Sequence, residues 1–280
     1  MVGEILAVDG KVVRGTGEKG KPNSALQILS IYATESGITI LQKPIENQDK
    51  TNEIPVFRKM LDNLCIEGAT ITADAMHCKK ETCEKIIEKK GDYVFGLKGN
   101  QSNLQVATQN FLNNPVNLEN AQIFETVEKN GGRTEKRICC ASSDITGIPG
   151  IGEWIALGLK SVFSVTRIIT YKGQTTQETG YYISSLDANA KHLMHVCRSQ
   201  WKVESMHWAL DVIWNEDNNN IKSNNAQKVM NVFRKLAHFA HKKHVALQPV
   251  KKRRSVKQNV LHALLNQDAC FEIMSLLSHT

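Results

Sequence analysis

Asp9, Asp74 and Glu204 are the side chains on which chemistry can be built. Asp9 closes the apolar run ILAVD, Asp74 closes ATITAD, and Glu204 stands far along the chain in RSQWKVESMHW. Two carboxylates at strand ends and one on a helix can converge on a pair of divalent cations, the arrangement that cuts or rejoins a phosphodiester. Neighbouring parallel strands would set Asp9 beside Asp74, where ligands of open α/β sheets gather. The bland alternative is that each Asp simply starts a turn. Around Glu204, the residues Arg198, Trp201, Trp208 and Asp211 recur at helical spacing and predict one helix face, with Arg198 as a charge partner. Val196, Val203, Met206, Leu210 and Ile213 take a different face that suits a core. An amphipathic helix with a polar outer face gives the same spacing.

The elements that must position these acids are legible in part. ALQILSIYAT and GITILQKPI, parted by Glu35-Ser36-Gly37, predict a hairpin. Asn52 is placed to cap a helix over EIPVFRKMLDNL, with Gly68 as its stop. ATITADA reads as a buried strand, KKETCEKIIEKK as a helix ended by Gly91, and DYVFGLKG as another strand. The order predicts an α/β fold, a mixed sheet flanked by helices. From about Ile123 to Leu186 alternating β-formers surround Asn130-Gly131-Gly132 and Lys172-Gly173, a β-rich segment, and helical spacing returns after Asp187. The expected division is 1–122, 123–186 (β-rich), 187–245 (the helix bearing Glu204) and a basic tail with a short helix, 246–280.

The 280 residues carry a formal charge of +7, which favours an anionic partner such as nucleic acid. Seven scattered cysteines, with no leader-like segment after Met1 and no apolar stretch that could span a bilayer, point to free thiols in a reducing cytoplasm. Lys98, Asn100 and Gln101 follow a strand and could touch a DNA backbone, or form a solvated turn. Arg133 and Arg137 flank Glu135 on a presumed hairpin, where exposed charges commonly serve only solubility. Arg198 could contact phosphate, orient Glu204 or make an ordinary salt bridge. Trp201 and Trp208 read first as packing residues, second as platforms for an extruded base. Asp211 and Asp217 could serve as outer-shell partners. Lys251, Lys252, Arg253 and Arg254 lie in an acid-free stretch that is an exposed connector or a phosphate-contacting arm. His238, His241 and His244 read as one face of a basic helix end rather than a zinc site, and no phosphate-loop or nucleophile-elbow motif is present.

AVDGK, TADAMHC, DYVFGLKGNQ, GGRTEKR, YYISSL and WKVESMHWALDVIWNED occur in the order found in insertion-sequence DDE transposases of the H-repeat-associated (ISAs-type) family, which the chain resembles from Ile5 to about His244. The resemblance implies a ribonuclease H-like core with a β-rich insertion before the last catalytic helix. It implies that Asp9, Asp74 and Glu204 are the catalytic, metal-binding triad, separated by 74 − 9 = 65 and 204 − 74 = 130 residues. Two Mg²⁺ ions ~4 Å apart, replaceable by Mn²⁺, would hold the scissile phosphate, with Asp9 as the bridging ligand. The implied activity is cleavage and strand transfer at insertion-sequence ends in double-stranded DNA, by a bacterial cytoplasmic protein acting as a homodimer, nucleoid-associated when bound. Arg133 and Arg137 would then lie near the DNA ends. Two other outcomes stay open: a catalytically degenerate DNA-binding remnant, and a ribonuclease H-like nuclease without strand transfer. The first catalytic strand starts almost at Met1, where the family pattern has a preceding segment, so a truncated or split reading frame is expected. Gly131 and Lys222 stand where His and Arg are common in the family.

Overall fold

The computed structural model describes residues 2–17, 20–21, 24–45, 53–219, 221 and 223–278. Asn52 and Lys222 lie outside the described residues. The protein is a mixed α/β structure in which a large sheet is flanked by helices. The chain divides into two compact units, Met1–Asp9 with Ile54–Lys202 and Gly10–Glu53 with Val203–Thr280. The boundary falls inside the first strand, β1 (Ile5–Val13), between Asp9 and Gly10.

In the first unit, β1 is followed by α1 (Glu53–Asp62), β4 (Thr70–Ala73), α2 (Lys80–Glu88), β5 (Asp92–Leu97) and α3 (Ser102–Asn113). Ile5–Val8 pairs in parallel with Thr70–Ala73, and β4 pairs in parallel with β5. Burial on both faces explains why these strands read as unbroken apolar runs: Ile5, Leu6, Ala7 and Val8 are all buried. Two antiparallel hairpins follow, β6 (Gln122–Asn130) with β7 (Arg133–Ser142), then β8 (Ser161–Tyr171) with β9 (Gln174–Ser184). Gly131 and Gly132, both with positive φ, make the first tight turn that only such residues allow cheaply. The strand order of this unit is β1-β4-β5-β9-β8-β7-β6. The short helix α4 (Gly152–Ile155) lies between the hairpins in sequence. α5 (Ala190–Ser199) packs Leu193, Met194 and Val196 against Ile5, Val94, Cys139 and Phe163.

One expected helix stop differs. Lys90, not Gly91, takes the left-handed conformation after α2. Gly91 is needed for close approach, since a Cβ there would meet Ile66 Cδ1 at 2.9 Å.

The second unit contains the hairpin β2 (Leu26–Ala33) and β3 (Ile38–Ile45), and the helices α6 (Trp201–Val212), α7 (Asn224–Leu247), α8 (Val256–Leu265) and α9 (Gln267–Ser275). Ser223 caps α7, and Ser255 with Gln258 forms a reciprocal capping box on α8. His238, His241 and His244 are buried rather than displayed at a basic helix end. Asn259 of α8 bonds to the rings of His241 and His244, both at 3.1 Å. The helical spacing predicted that they share a face, and the sequence left open whether that face is buried.

All seven cysteines are free thiols. Among the described residues no helix is long and apolar enough to cross a membrane.

Candidate functional site

Asp9 and Asp74 follow the last paired residues of adjacent parallel strands, for Val8 faces Ala73 in the register. Neighbouring strands lie about 4.8 Å apart, so the backbones at Asp9 and Asp74 run alongside each other; Asp74 comes just after β4, whereas Asp9, expected at a strand end, lies inside β1, which runs on to Val13. The turn after Asp74 is built by its neighbours. His77 N–H donates to the Asp74 carbonyl at 2.9 Å, closing a single 3₁₀ turn over Ala75–His77. Asn100 donates its side-chain amide to the Ala75 carbonyl at 2.6 Å, and Gln101 donates to the Cys78 carbonyl at 3.0 Å. Gln200 donates to the Val8 carbonyl at 3.0 Å, beside Asp9. That contact has no signature in sequence spacing.

Glu204 lies in the first turn of α6 and is exposed. Of the predicted core face, Val196, Val203, Met206 and Leu210 are buried, while Ile213 falls beyond the end of α6 and is only half-buried. The predicted single helix is instead two, since α5 ends at Ser199 and α6 begins at Trp201. Arg198 therefore belongs to α5, where it pairs with Glu128 of β6 at 2.6 Å. Trp201 and Trp208 are both more than half exposed and are not core residues. Arg167 lies over the Trp201 ring, 5.6 Å from its centroid.

The β6–β9 hairpins carry a cluster of guanidiniums. Arg133, Arg137 and Arg167 all pair with Glu135. Arg137 and Arg167 face each other across β7 and β8, a like-charge pairing that Glu135 between them relieves. Burial pushes the Glu135 carboxyl up, but the three guanidiniums outweigh it and hold it below the usual carboxylate range. Arg137 also reaches Glu128 at 3.2 Å. Hydrogen bonding from Arg198, with help from Arg137, holds Glu128 below that range too. Register also sets Glu178 opposite Arg167, so Arg133, Arg137 and Arg167 share one face with Glu128, Glu135 and Glu178. Sequence reading missed Arg167, which only cross-strand register brings to Arg137.

Lys98 is exposed at the end of β5. In the second unit, Lys251, Lys252, Arg253 and Arg254 are all exposed after α7, and Arg253 is tethered to the Ala246 carbonyl at 3.0 Å.

Among the described residues no three His, Cys, Asp or Glu side chains are grouped closely enough to hold a metal ion by themselves. The carboxylates of Asp9, inside β1, and Asp74, just after β4, are hard oxygen donors of the kind a hard cation takes. Mg²⁺ is commonly held by one or two carboxylates, with water and substrate phosphate completing its shell, rather than by an all-protein cage.

"Putative transposase YncI" of Escherichia coli O157:H7 is 35% identical over 84% of this chain and 61% of its own length. "H repeat-associated putative transposase YhhI" of Escherichia coli K12 is 32% identical over 84% of this chain and 63% of its own. The chain thus spans about three fifths of the length of these relatives. Among solved structures, the piggyBac transposase synaptic complex with hairpin DNA shares the fold, with a TM-score of 0.51 at 14% identity over 92% of this chain and 51% of that one. Residues 2–240 match the family described as a transposase DDE domain, and the chain belongs to that family, among the H-repeat-associated transposases.

Proposed function

We propose that the protein is a metal-dependent transposase that cuts and rejoins DNA strands at the ends of an insertion sequence, with Asp9, Asp74 and Glu204 as its metal ligands. The observation that supports this reading is the register of β1 on β4, in which Asp9 and Asp74 each come one residue after the paired Val8 and Ala73. The reading further takes the sheet as a ribonuclease H-like core, with β6–β9 as an insertion ahead of the helix that bears Glu204. A bound pair of divalent ions would supply charge neutralisation at the scissile phosphate and activation of the attacking oxygen.

The remaining work falls to the chain. Asn100 and Gln101 hold the turn after Asp74, and Gln200 holds β1 just before Asp9, so neither carboxylate has to be ordered at the moment of binding. Arg133, Arg137, Arg167 and Arg198 offer guanidiniums to DNA phosphates, and exposed Trp201 offers a stacking surface. Lys98 and the Lys251–Arg254 run add sequence-independent phosphate contacts. DNA is the proposed substrate, and two copies acting together the proposed working form.

The test is incubation with a labelled duplex bearing the ends of the element and Mn²⁺. Cleavage followed by a joined product supports the proposal. Salt-sensitive binding without cleavage would identify a DNA-binding remnant, and nicking without joining would identify a plain nuclease.

A further inference from the structure

We infer that Lys11 is a positioning residue, whose ammonium locks helix α6, and with it Glu204, onto strand β1. The inference rests on the proposed role of Glu204 as a metal ligand.

Lys11 is nearly buried, and three carboxylates of the second unit surround it: Asp211 at 2.7 Å, Asp217 at 3.4 Å and Glu216 at 3.6 Å. Their delivery is a matter of local structure. Past the end of α6 Asn215 turns left-handed, and Glu216 N–H bonds back to the Leu210 carbonyl at 3.0 Å. That reversal returns Glu216 and Asp217 to the strand. Arg14 N–H donates to Asp217 at 3.0 Å, and Asn231 of α7 donates to fully buried Glu216 at 2.7 Å. Backbone shape completes the joint, because a Cβ on Gly15 would lie 2.4 Å from the Asp217 carbonyl oxygen.

Geometry connects this joint to the proposed site. Glu204 and Asp211 are 211 − 204 = 7 residues apart, about two turns, and so share one face of α6. Lys11 follows Asp9 by two residues and so shares its face of β1. A buried ion pair is a weak device for stability alone, and apolar residues of equal volume commonly do as well. Its attested use is to select one register, and here the register is that of the Glu204 helix along β1.

The test compares wild type with Lys11→Met, Lys11→Arg and Asp211→Asn. Amide exchange over 203–219 is read without metal or DNA, and Mn²⁺ affinity is read by calorimetry. Lys11→Met is expected to speed exchange in α6 by about tenfold or more while the first unit keeps its protection. It is also expected to weaken Mn²⁺ binding about tenfold, as loss of an outer partner does, with Lys11→Arg restoring much of both. Should Lys11→Met fail to fold, Asp211→Asn carries the test, since Asp211 is about one-third exposed and leaves Lys11 two partners. A folded variant with unchanged exchange, or with faster exchange and unchanged Mn²⁺ affinity, overturns the inference alone. Wild type that binds no Mn²⁺ overturns the metal triad first, and the positioning role with it.

Discussion

Gln200 donates its side-chain amide to the carbonyl of Val8, the residue immediately before Asp9. Asn100 does the equivalent for Ala75, the residue immediately after Asp74. Each proposed metal-binding aspartate is thus flanked by a backbone carbonyl held by a side-chain amide. Strand pairing sets the level of the two acids, and these amides hold the chain where pairing stops.

Removing either amide should loosen the chain beside one aspartate without unfolding the protein. Asn100→Ala and Gln200→Ala are each expected to lower stability by about 1 kcal/mol, the usual net value of one such bond. Urea midpoints will measure this. Exchange should quicken at residues 75–78 in the first variant and near Asp9 in the second.

Burial and neighbouring Lys242 and His241 hold His238 down to about 4, where the Trp214 indole N–H donates to its Nδ1 at 3.4 Å. The folded state therefore resists a proton that the unfolded chain accepts near 6.5. Stability contributed by neutral His238 is full above about pH 6.5 and declines as pH falls toward 4, by up to roughly 3 kcal/mol. Denaturant midpoints at pH 7.5 and 5 should show that loss. His238→Gln, which cannot gain the proton, should flatten it.

The basic residues divide into two kinds. Neutralising Lys251, Lys252, Arg253 and Arg254 together should weaken binding of any duplex and make the salt slope shallower by up to about four. Arg167→Ala should also weaken DNA binding, and in addition should change Trp201 fluorescence in the free protein, because Arg167 lies over that ring. Unchanged affinity in either variant would remove that surface from the DNA interface.

How far the sequence alone carried this reading depends on the range of each interaction. The hairpin turns, the apolar runs of β1 and β4 and the buried face of α6 are local patterns, and they were legible. The parallel register of Val8 on Ala73 is not local, because it joins residues 73 − 8 = 65 positions apart. Arg167 escaped notice because it meets Arg137 only through strand pairing. The burial of the α7 histidines was not legible for a related reason. Their burial depends on Asn259 of α8, a polar partner that no count of neighbouring charges could supply. The split between α5 and α6 was missed because helical spacing runs through it almost undisturbed.

Direct titration of Mn²⁺ into the metal-free chain, compared with Asp9→Asn, Asp74→Asn and Glu204→Gln, tests the central claim most closely. Wild type should bind with measurable heat, and each single substitution should weaken binding by about tenfold or more, since each removes one anionic oxygen donor from a hard cation. Equal binding by all four proteins, or none by wild type, would contradict the account.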